Sequence, residues 1–262
     1  MYKRQPKYLA HATNTIDFIE MKLVSSDEGR LYRLHKNGVS KLNAYLDDYA
    51  FYTNALLDVF EVDSQPRYLD RAILYADFMI KHFWDDKESN LFFTSDDHEK
   101  LIVRTKSFYD LAIPSGSSIA ASNLLRLYYL TNNCEYLEKA ESIMRSAARM
   151  AAENPFGFGH MLIAIYLSIK KCTEILIVQE NNNHELPPQL TSWLNRHFIP
   201  NQISAIINDK RQLELLQKYE FFKGRDRAGI SNTQEYALVC RNSTCSLPLL
   251  SVQDLETHIY PK

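Results

Sequence analysis

A repeat inside the chain constrains its fold more than any other feature. Residues 6–33 align without a gap over residues 66–93, at an offset of sixty residues and with eight identical pairs. Residues 56–72 align in the same way over residues 124–140, at an offset of sixty-eight residues. Apolar residues recur at helical spacing on both sides of short polar turns. Each unit is therefore predicted to be a helix, a turn and a second helix.

Helical hairpins in tandem form either an open solenoid or a closed double ring of inner and outer helices. The segments between the hairpins are unlike one another. Residues 90–110 hold two short apolar stretches around a polar turn, which predicts a β-hairpin at one end of a ring. Because open solenoids keep more uniform repeats, we favour the ring for residues 6–171.

The pattern changes after residue 171. Short β-branched runs alternate with helical patterns, which indicates a small α/β unit over residues 172–262. The expected order is strand, helix, strand, helix, strand, at residues 173–180, 187–198, 202–209, 211–220 and 235–240.

Composition excludes several classes of function. The formal net charge is −2 and the 30 Lys and Arg residues are spread along the chain, so nucleic-acid binding is not expected. No apolar run approaches the thickness of a bilayer, and the first ten residues lack the apolar core of a signal peptide. We therefore expect a cytoplasmic protein without membrane partners.

The four cysteines are too few and too scattered for a disulfide scaffold. Cys240 and Cys245 form a single C-x4-C, without the second ligand pair that a zinc site needs and without the C-x-x-C spacing of redox motifs. We expect both to be buried thiols rather than a disulfide. We expect neither a metal site nor a cofactor.

Four motifs carry a family resemblance: LDDYAF, LFFTSDDHEKLIVRTKSFYDLAIPSGSSIAASNLLRL, IPN and YALVCRNSTCSLPL. In this order they resemble the C-terminal half of the spermatogenesis-associated protein 20 family of thioredoxin-domain-containing proteins. The resemblance runs from about Pro6 to the C-terminus. It implies an (α/α) toroid similar to six-hairpin glycosidases and N-acylglucosamine 2-epimerases, preceded by a thioredoxin-like domain. Ser117 stands where the family motif usually has Asn.

The chain departs from the family in length. We count about three hairpins where such a toroid has six, and the thioredoxin-like domain is missing. The fold class is thus expected to be mainly α: an incomplete (α/α) toroid, followed by the small α/β unit. A truncated reading frame is the simplest account. A half ring would leave its inner helices partly uncovered, which favours self-association or contact with the upstream domain.

The repeat also predicts where a site lies. At the offset of sixty-eight, residues 47–49 superpose on residues 115–117, so both clusters lie at the N-termini of inner helices, and His160 lies near a third equivalent position. Acid, hydroxyl and imidazole groups at one mouth are what a sugar or polyol site needs. We take Asp48 and His160 as catalytic candidates. The substrate-binding candidates are Asp47, Tyr49, Asp97, His98, Arg104, Asp110, Ser115 and Ser117.

Each candidate also has a structural interpretation. Asp47, Asp48 or Ser115 can cap its helix, a contribution of about 1 kcal/mol. Residues 95–99 have the composition of a metal site, but adjacent residues on a turn rarely offer three ligands, which favours a solvated turn. Arg104 can clamp an anionic sugar or pair with acids across the loop.

Two hypotheses about function follow. The first is a carbohydrate-active toroid. A glycosidase needs two opposed carboxylates, for which Asp48 with Asp97 is the candidate pair, whereas an epimerase would use His160 with a second histidine or a carboxylate. The second hypothesis is a non-catalytic module that binds or presents a client to the thioredoxin-like domain.

Overall fold

The computed structural model describes residues 6–25, 29–99, 102–170, 172–179, 188–225, 235–241 and 244–260. In this part of the chain, two complete helical hairpins stand between two further helices. A short 3-10 helix, Pro155–Phe158, precedes the last of them. The helices are α1 (Pro6–Lys22), α2 (Leu46–Asp63), α3 (Pro66–Phe83), α4 (Gly116–Thr131), α5 (Cys134–Glu153) and α6 (Gly159–Ile169).

The helices form two layers. Helix α2 packs on α3 and α4, and α4 packs on α5 and α6. Helices α2, α4 and α6 therefore form an inner layer, and α1, α3 and α5 an outer one. The two layers share a core in which Leu56, Leu124 and Ala164 are fully buried. The predicted incomplete double ring of helices is confirmed.

Both repeat offsets are visible in the backbone. Ser64 and Asn132, sixty-eight residues apart, end α2 and α4 in the left-handed conformation, with φ of 50° and 58°. The offset of sixty appears after the outer helices α1 and α3. Trp84 pairs with Leu91 in a short antiparallel ladder, and the equivalent Val24 and Leu31 form an antiparallel bridge. The repeat therefore extends from the helices into their turns.

The β-hairpins lie elsewhere than predicted. Strands β1 (Tyr32–Lys36) and β2 (Val39–Asn43) form a hairpin before α2 that the sequence analysis missed. Strands β3 (Trp84–Asp85) and β4 (Asn90–Leu91) pair directly after α3, which moves the expected hairpin of residues 90–110 towards the N-terminus. The second apolar stretch of that prediction begins at Leu101, outside the described residues. Because Ile102 and Val103 are exposed, they supply no face for a strand to bury.

The α/β unit contains a four-stranded sheet of order β6-β5-β7-β8. Its strands are β5 (Thr173–Gln179), β6 (Gln202–Ile207), β7 (Glu235–Arg241) and β8 (Thr244–Cys245). Strand β5 is parallel to β6 and antiparallel to β7. Helices α7 (Gln189–Arg196), α8 (Lys210–Leu216) and α9 (Val252–Ile259) accompany it. The three predicted strands and two predicted helices are confirmed, and α9 and β8 were missed.

The cysteine prediction was wrong. Cys240 and Cys245 form a disulfide bond instead of remaining thiols. They are direct cross-strand partners in the β7–β8 ladder, so the register of the hairpin brings the two sulfur atoms together. Sequence spacing alone carries no information about that register. Cys134 is an exposed free cysteine and Cys172 a buried one.

The α/β unit covers one end of the helices. The backbone N–H of Ile206 donates to Ser64 Oγ at 2.9 Å, and Gln212 Nε2 donates to the Asp63 carbonyl at 2.7 Å. Likewise, the N–H of Phe221 donates to the Leu130 carbonyl. These contacts lie where α2 and α4 end. The opposite end, where the inner helices begin, is left uncovered by this unit, and we call it the open end.

Across the residues that the structure describes, no helix combines the length and the apolar character that crossing a membrane requires.

The two equivalent helix ends allow a matched test of how the units are joined. Ser64→Gly removes the hydroxyl that accepts from the buried Ile206 N–H, while Gly tolerates the left-handed backbone. We expect a loss of about 1–3 kcal/mol in the free energy of unfolding. Asn132→Gly should change it by less than about 0.5 kcal/mol, because glycine is the preferred residue at such a helix end. Equal effects in urea titrations would contradict this account.

Candidate binding site at the open end

Two aspartates tie the beginnings of the three inner helices together. Asp47 Oδ1 accepts a hydrogen bond from the backbone N–H of Gly116 at 3.0 Å, which links α2 to α4. Asp110 accepts from the N–H of Ser115 at 2.8 Å and from that of His160 at 2.7 Å, which links α4 to α6. The structure thus brings the three predicted N-termini to one end of the molecule.

Asp48 and Tyr49 differ in their surroundings. Asp48 Oδ2 accepts from the backbone N–H of Tyr45 at 2.9 Å and lies 3.5 Å from Arg33 Nη1, with its side chain a third exposed. Tyr49 is buried: its hydroxyl accepts from the N–H of Leu31, and its ring stacks on Phe78 at 4.9 Å. Burial raises the pKa of Tyr49 far above its usual value. Asp48 is therefore at the open end, whereas Tyr49 belongs to the core.

Burial also acts on Asp47. It raises the pKa of the Asp47 carboxyl above the ordinary 3.8, and the hydrogen bond from the Gly116 N–H opposes this only in part. The carboxylate is stabilised by the free N–H groups and the positive dipole end of α4. Asp47 is thus first a link between helices.

The loop after β4 carries a compact set of charges. Asp97 binds Arg30 and accepts from Ser95 Oγ at 2.6 Å. Burial alone would raise its pKa, but these two hydrogen bonds dominate and lower it, so Asp97 stays a carboxylate. Asp96 contacts His82 Nδ1 at 2.8 Å. Ligand atoms of His82, Asp96 and Asp97 lie within 4.8 Å of one another, as in metal sites, but Arg30 already neutralises one of them.

His98 and Arg104 are both held by contacts within the chain, His98 with residues before α2 and Arg104 with the loop and its flanks. The His98 ring stacks on Tyr45 at 5.0 Å between centroids. Arg104 donates to the carbonyl oxygens of Thr94 and His82, and its guanidinium lies over the Phe92 ring at 4.0 Å. Arg104 therefore clamps the loop and makes no ion pair among the described contacts.

A polar cluster that the sequence analysis missed lies between the inner helices. Arg126 of α4 binds Asp58 Oδ1 at 3.1 Å and Glu61 Oε1 at 2.8 Å, and it donates to Asn54 Oδ1 at 3.2 Å. Burial would lower the pKa of Arg126, but the two carboxylates raise it above its usual value. We call Asn54, Asp58, Glu61, Ser122, Arg126 and His160 the inner-face cluster.

His160 joins this cluster from α6. Its Nε2 lies 3.2 Å from Ser122 Oγ. Burial lowers the pKa of His160 below the ordinary 6.5, and the nearby Asp110 offsets this only partly. The imidazole is therefore neutral at pH 7 and able to accept a proton.

The repeat contained a signal for this cluster. At the offset of sixty-eight, Asn54 is equivalent to Ser122 and Asp58 to Arg126. Opposite charges at equivalent positions of neighbouring inner helices predict an ion pair. Because the two copies of the repeat were compared only for identical residues, the complementary charges of Asp58 and Arg126 were not recognised.

No family model matches the chain. Spermatogenesis-associated protein 20 from Homo sapiens is 25% identical over 98% of the chain, and the same protein from Rattus norvegicus is 25% identical over 93%. An uncharacterised protein of Caenorhabditis elegans, B0495.5, is 28% identical over 96%. The resemblance to the spermatogenesis-associated protein 20 family is confirmed. The chain spans about a third of the length of these relatives: 33%, 31% and 34% respectively.

Solved structures similar to part of the chain include two glycoside hydrolase family 76 proteins of Bacteroides thetaiotaomicron. An α-mannanase matches with a TM-score of 0.47 and 18% identity, over 64% of this chain and 48% of its own. A mannosidase matches with a TM-score of 0.44 and 17% identity, over 54% and 38%. The fold described above rests on the packing of the chain's own helices.

Ser115 and Ser117 belong to the motif in which this chain departs from the spermatogenesis-associated protein 20 family. Ser115 caps α4: its Oγ accepts from the N–H of Ser118 at 3.1 Å and donates to the Phe108 carbonyl. Ser117 replaces the Asn of the family motif. It is fully buried, and within the described part of the chain its Oγ has no hydrogen-bond partner. Neither serine is exposed at the open end.

The close approach of α2 to α4 can be tested at Gly116. A Cβ there would overlap Asp47 Oδ1 and lie 3.0 Å from Leu46 Cγ. Gly116→Ala should lower the free energy of unfolding by about 1–3 kcal/mol through overpacking. Gly159→Ala, at the start of α6, meets nothing within 4 Å and should be stabilising by up to about 1 kcal/mol, because Ala favours helix. Chemical denaturation of both variants measures these changes. If both variants were destabilised, the close approach of α2 to α4 would not explain the effect at Gly116.

The lowered pKa of His160 makes a prediction about pH. The unfolded chain takes up a proton near pH 6.5, before the folded one does. The stability that the neutral ring contributes is therefore complete above that pH and is lost as pH falls through the folded pKa. Urea titrations between pH 8 and pH 5 should show a shallower decline for His160→Gln than for the unchanged protein. The His258→Gln variant, changed at an exposed histidine, serves as control. If its stability declined with falling pH as shallowly as that of His160→Gln, the effect could not be assigned to His160.

Proposed function

We propose that the open end binds a carbohydrate or a related polyol whose hydroxyl groups reach the inner-face cluster. The observation that carries this proposal is the set of polar contacts between neighbouring inner helices: Arg126 of α4 binds Asn54 and Asp58 of α2, and Ser122 of α4 lies beside His160 of α6. These side chains supply both hydrogen-bond donors and acceptors between the inner helices. A ligand with many hydroxyl groups needs such an arrangement.

Within this site, His160 is the residue proposed to move a proton. It is neutral because burial lowers its pKa, and Ser122 Oγ lies within hydrogen-bond distance of Nε2. A neutral imidazole held in this way can act as a general base on a carbon or hydroxyl proton. Asp48, a third exposed beside Arg33, is the second proton-transfer candidate. This chemistry is epimerase-like or isomerase-like.

The contacts favour this chemistry over glycoside hydrolysis. A glycosidase needs one carboxyl that is protonated and can act as the acid. In the pair suggested by the sequence, Asp97 is held as a carboxylate by Arg30 and Ser95. The acid role would therefore fall on Asp48, which already accepts from the Tyr45 N–H as part of its own helix start.

The alternative is a non-catalytic binding module, serving a thioredoxin-like domain of a longer protein. It is favoured by one specific observation: the acids of the open end are already engaged. Asp47 and Asp110 bind helix N-termini, and Asp97 binds Arg30. Under this proposal the open end would recognise a partner through its shape, and His160 would have no chemical role.

A saccharide screen separates the two proposals. The protein is titrated with a panel of monosaccharides and oligosaccharides by ligand-observed NMR, and the binders are followed for isomer conversion. Asp58→Asn should weaken binding at least several-fold, because it removes one of the two carboxylates that fix Arg126. His160→Gln should abolish conversion while retaining binding. Glu153→Gln, an exposed acid on α5, is the matched control.

The outcomes are distinct. If no saccharide binds to the unchanged protein, the carbohydrate proposal fails. If saccharides bind without conversion under any condition, the catalytic role of His160 fails and a binding module remains. Thermal unfolding of each variant is measured alongside, so that a lost fold is not mistaken for a lost site.

A further inference from the structure

A cavity of about 830 Å³ lies between the helices and the sheet of the α/β unit, away from the open end. Helix α4 contributes Tyr128 and Tyr129 to its wall, and β7 contributes Leu238 and Cys240. None of the residues described in its wall belongs to the inner-face cluster. Its volume lies within the usual range for small-molecule sites, about 300–1,000 Å³. We propose that this junction cavity binds a small aromatic carboxylate, independently of the carbohydrate proposal.

Arg225 supplies the group that binds the carboxylate. Its Nη2 donates to Glu174 Oε2 at 2.7 Å, and its guanidinium carbon lies 4.7 Å from the centroid of the Phe221 ring. The side chain is only 13% exposed. Nη1 is buried, yet among the described residues it has no hydrogen-bond partner. Because buried polar groups almost always have a partner, an acceptor from outside the chain is expected beside Arg225.

The charges of the wall allow a second carboxylate to bind there. Each of the three glutamates described in the wall already lies beside a cation: Glu174 with Arg225 at 2.7 Å, Glu220 with Lys223 at 3.5 Å and Glu141 with Arg145 at 3.1 Å. A bound anion is therefore not repelled by an uncompensated acid of the wall. A guanidinium group donates from several nitrogen atoms, so it can hold two carboxylates at once.

The rest of the wall suits an aromatic body. Tyr128 and Tyr129 are half-buried, with ring centroids 5.3 Å apart, and the Cys240–Cys245 disulfide adds a further apolar surface. Glu174 is the direct cross-strand partner of Cys240. The guanidinium that binds Glu174 is therefore close to the disulfide. A molecule held at Arg225 has tyrosine rings and the disulfide around it, and aromatic rings pack favourably on one another.

The first experiment compares two matched probes. Naphthoate and its neutral amide, naphthamide, are titrated into the whole chain with its disulfide intact, and binding is followed by ligand-observed NMR. Naphthoate should bind about ten-fold more tightly than naphthamide, because only the carboxylate forms a charge-assisted hydrogen bond with Arg225. If naphthoate does not bind, or if the two probes bind equally, the proposal is overturned.

Substitutions of Arg225 test the anchor. Arg225→Lys keeps a positive charge for Glu174 but offers one nitrogen atom instead of three, so naphthoate should bind about ten-fold more weakly. Arg225→Gln should also lose the preference for naphthoate over naphthamide. Arg211→Gln, at an exposed arginine of α8 that is not among the wall residues, should bind naphthoate like the unchanged protein. Thermal unfolding shows which variants keep their fold, and unchanged naphthoate binding in a folded Arg225 variant overturns the proposal.

A second experiment locates the bound probe. The carboxylate para-fluorosulfonylbenzoate reacts with nearby lysine and tyrosine side chains, and peptide mass spectrometry maps the products. We expect modification of Lys223, Tyr128 or Tyr129 in the cavity wall, and excess naphthoate should prevent it. Any reaction at Lys218, an exposed lysine outside the described wall, should be unaffected by naphthoate. Wall residues that naphthoate fails to protect, or equal protection of Lys218, would overturn the placement of the carboxylate in the junction cavity.

Discussion

The structure depends on how the free N–H groups at the beginnings of the inner helices are satisfied. A helix leaves its first N–H groups without partners inside the helix. Here α4 and α6 receive carboxylates from outside their own first turn, Asp47 from α2 and Asp110 from the preceding loop. Each inner helix is thereby fixed to its neighbour. Asp47 and Asp110, two of the predicted substrate-binding residues, are thus the acids that set the spacing of the inner helices.

This constraint explains where chemistry remains available. With the helix starts occupied, the polar groups not used for capping lie deeper, at Asp58, Arg126 and His160. The α/β unit covers the other end of the same helices through Ser64 and Asp63. Under the carbohydrate proposal, the acids at the open end act on the approach of a ligand, and the partly buried inner-face cluster on its recognition.

Much of the fold was predictable because the repeat records local structure twice. Equivalent turns such as those at Ser64 and Asn132 follow from the alignment, since the same short-range hydrogen bond ends both helices. The pairing of Asp58 with Arg126 was within reach for the same reason. Other features depend on contacts far apart in the chain. The contact between His82 and Asp96, and the register that joins Cys240 to Cys245, arise from how loops and strands are placed, which local periodicity does not encode.

The repeat also separates residues retained for packing from residues retained for the surface. Asp17 and Asp77 are identical and lie at the surface in both copies of the repeat, where Asp17 pairs with Arg67 and Asp77 accepts from the Tyr136 hydroxyl. Phe18 and Phe78 are identical but differ in burial, because Phe78 stacks on Tyr49 of α2 whereas Phe18 meets only the His35 ring among the described ring contacts. An exposed aromatic at a position that the repeat elsewhere buries costs free energy in water. The burial of an aromatic at this position is therefore decided by the helix packed beside it, which the local repeat does not encode.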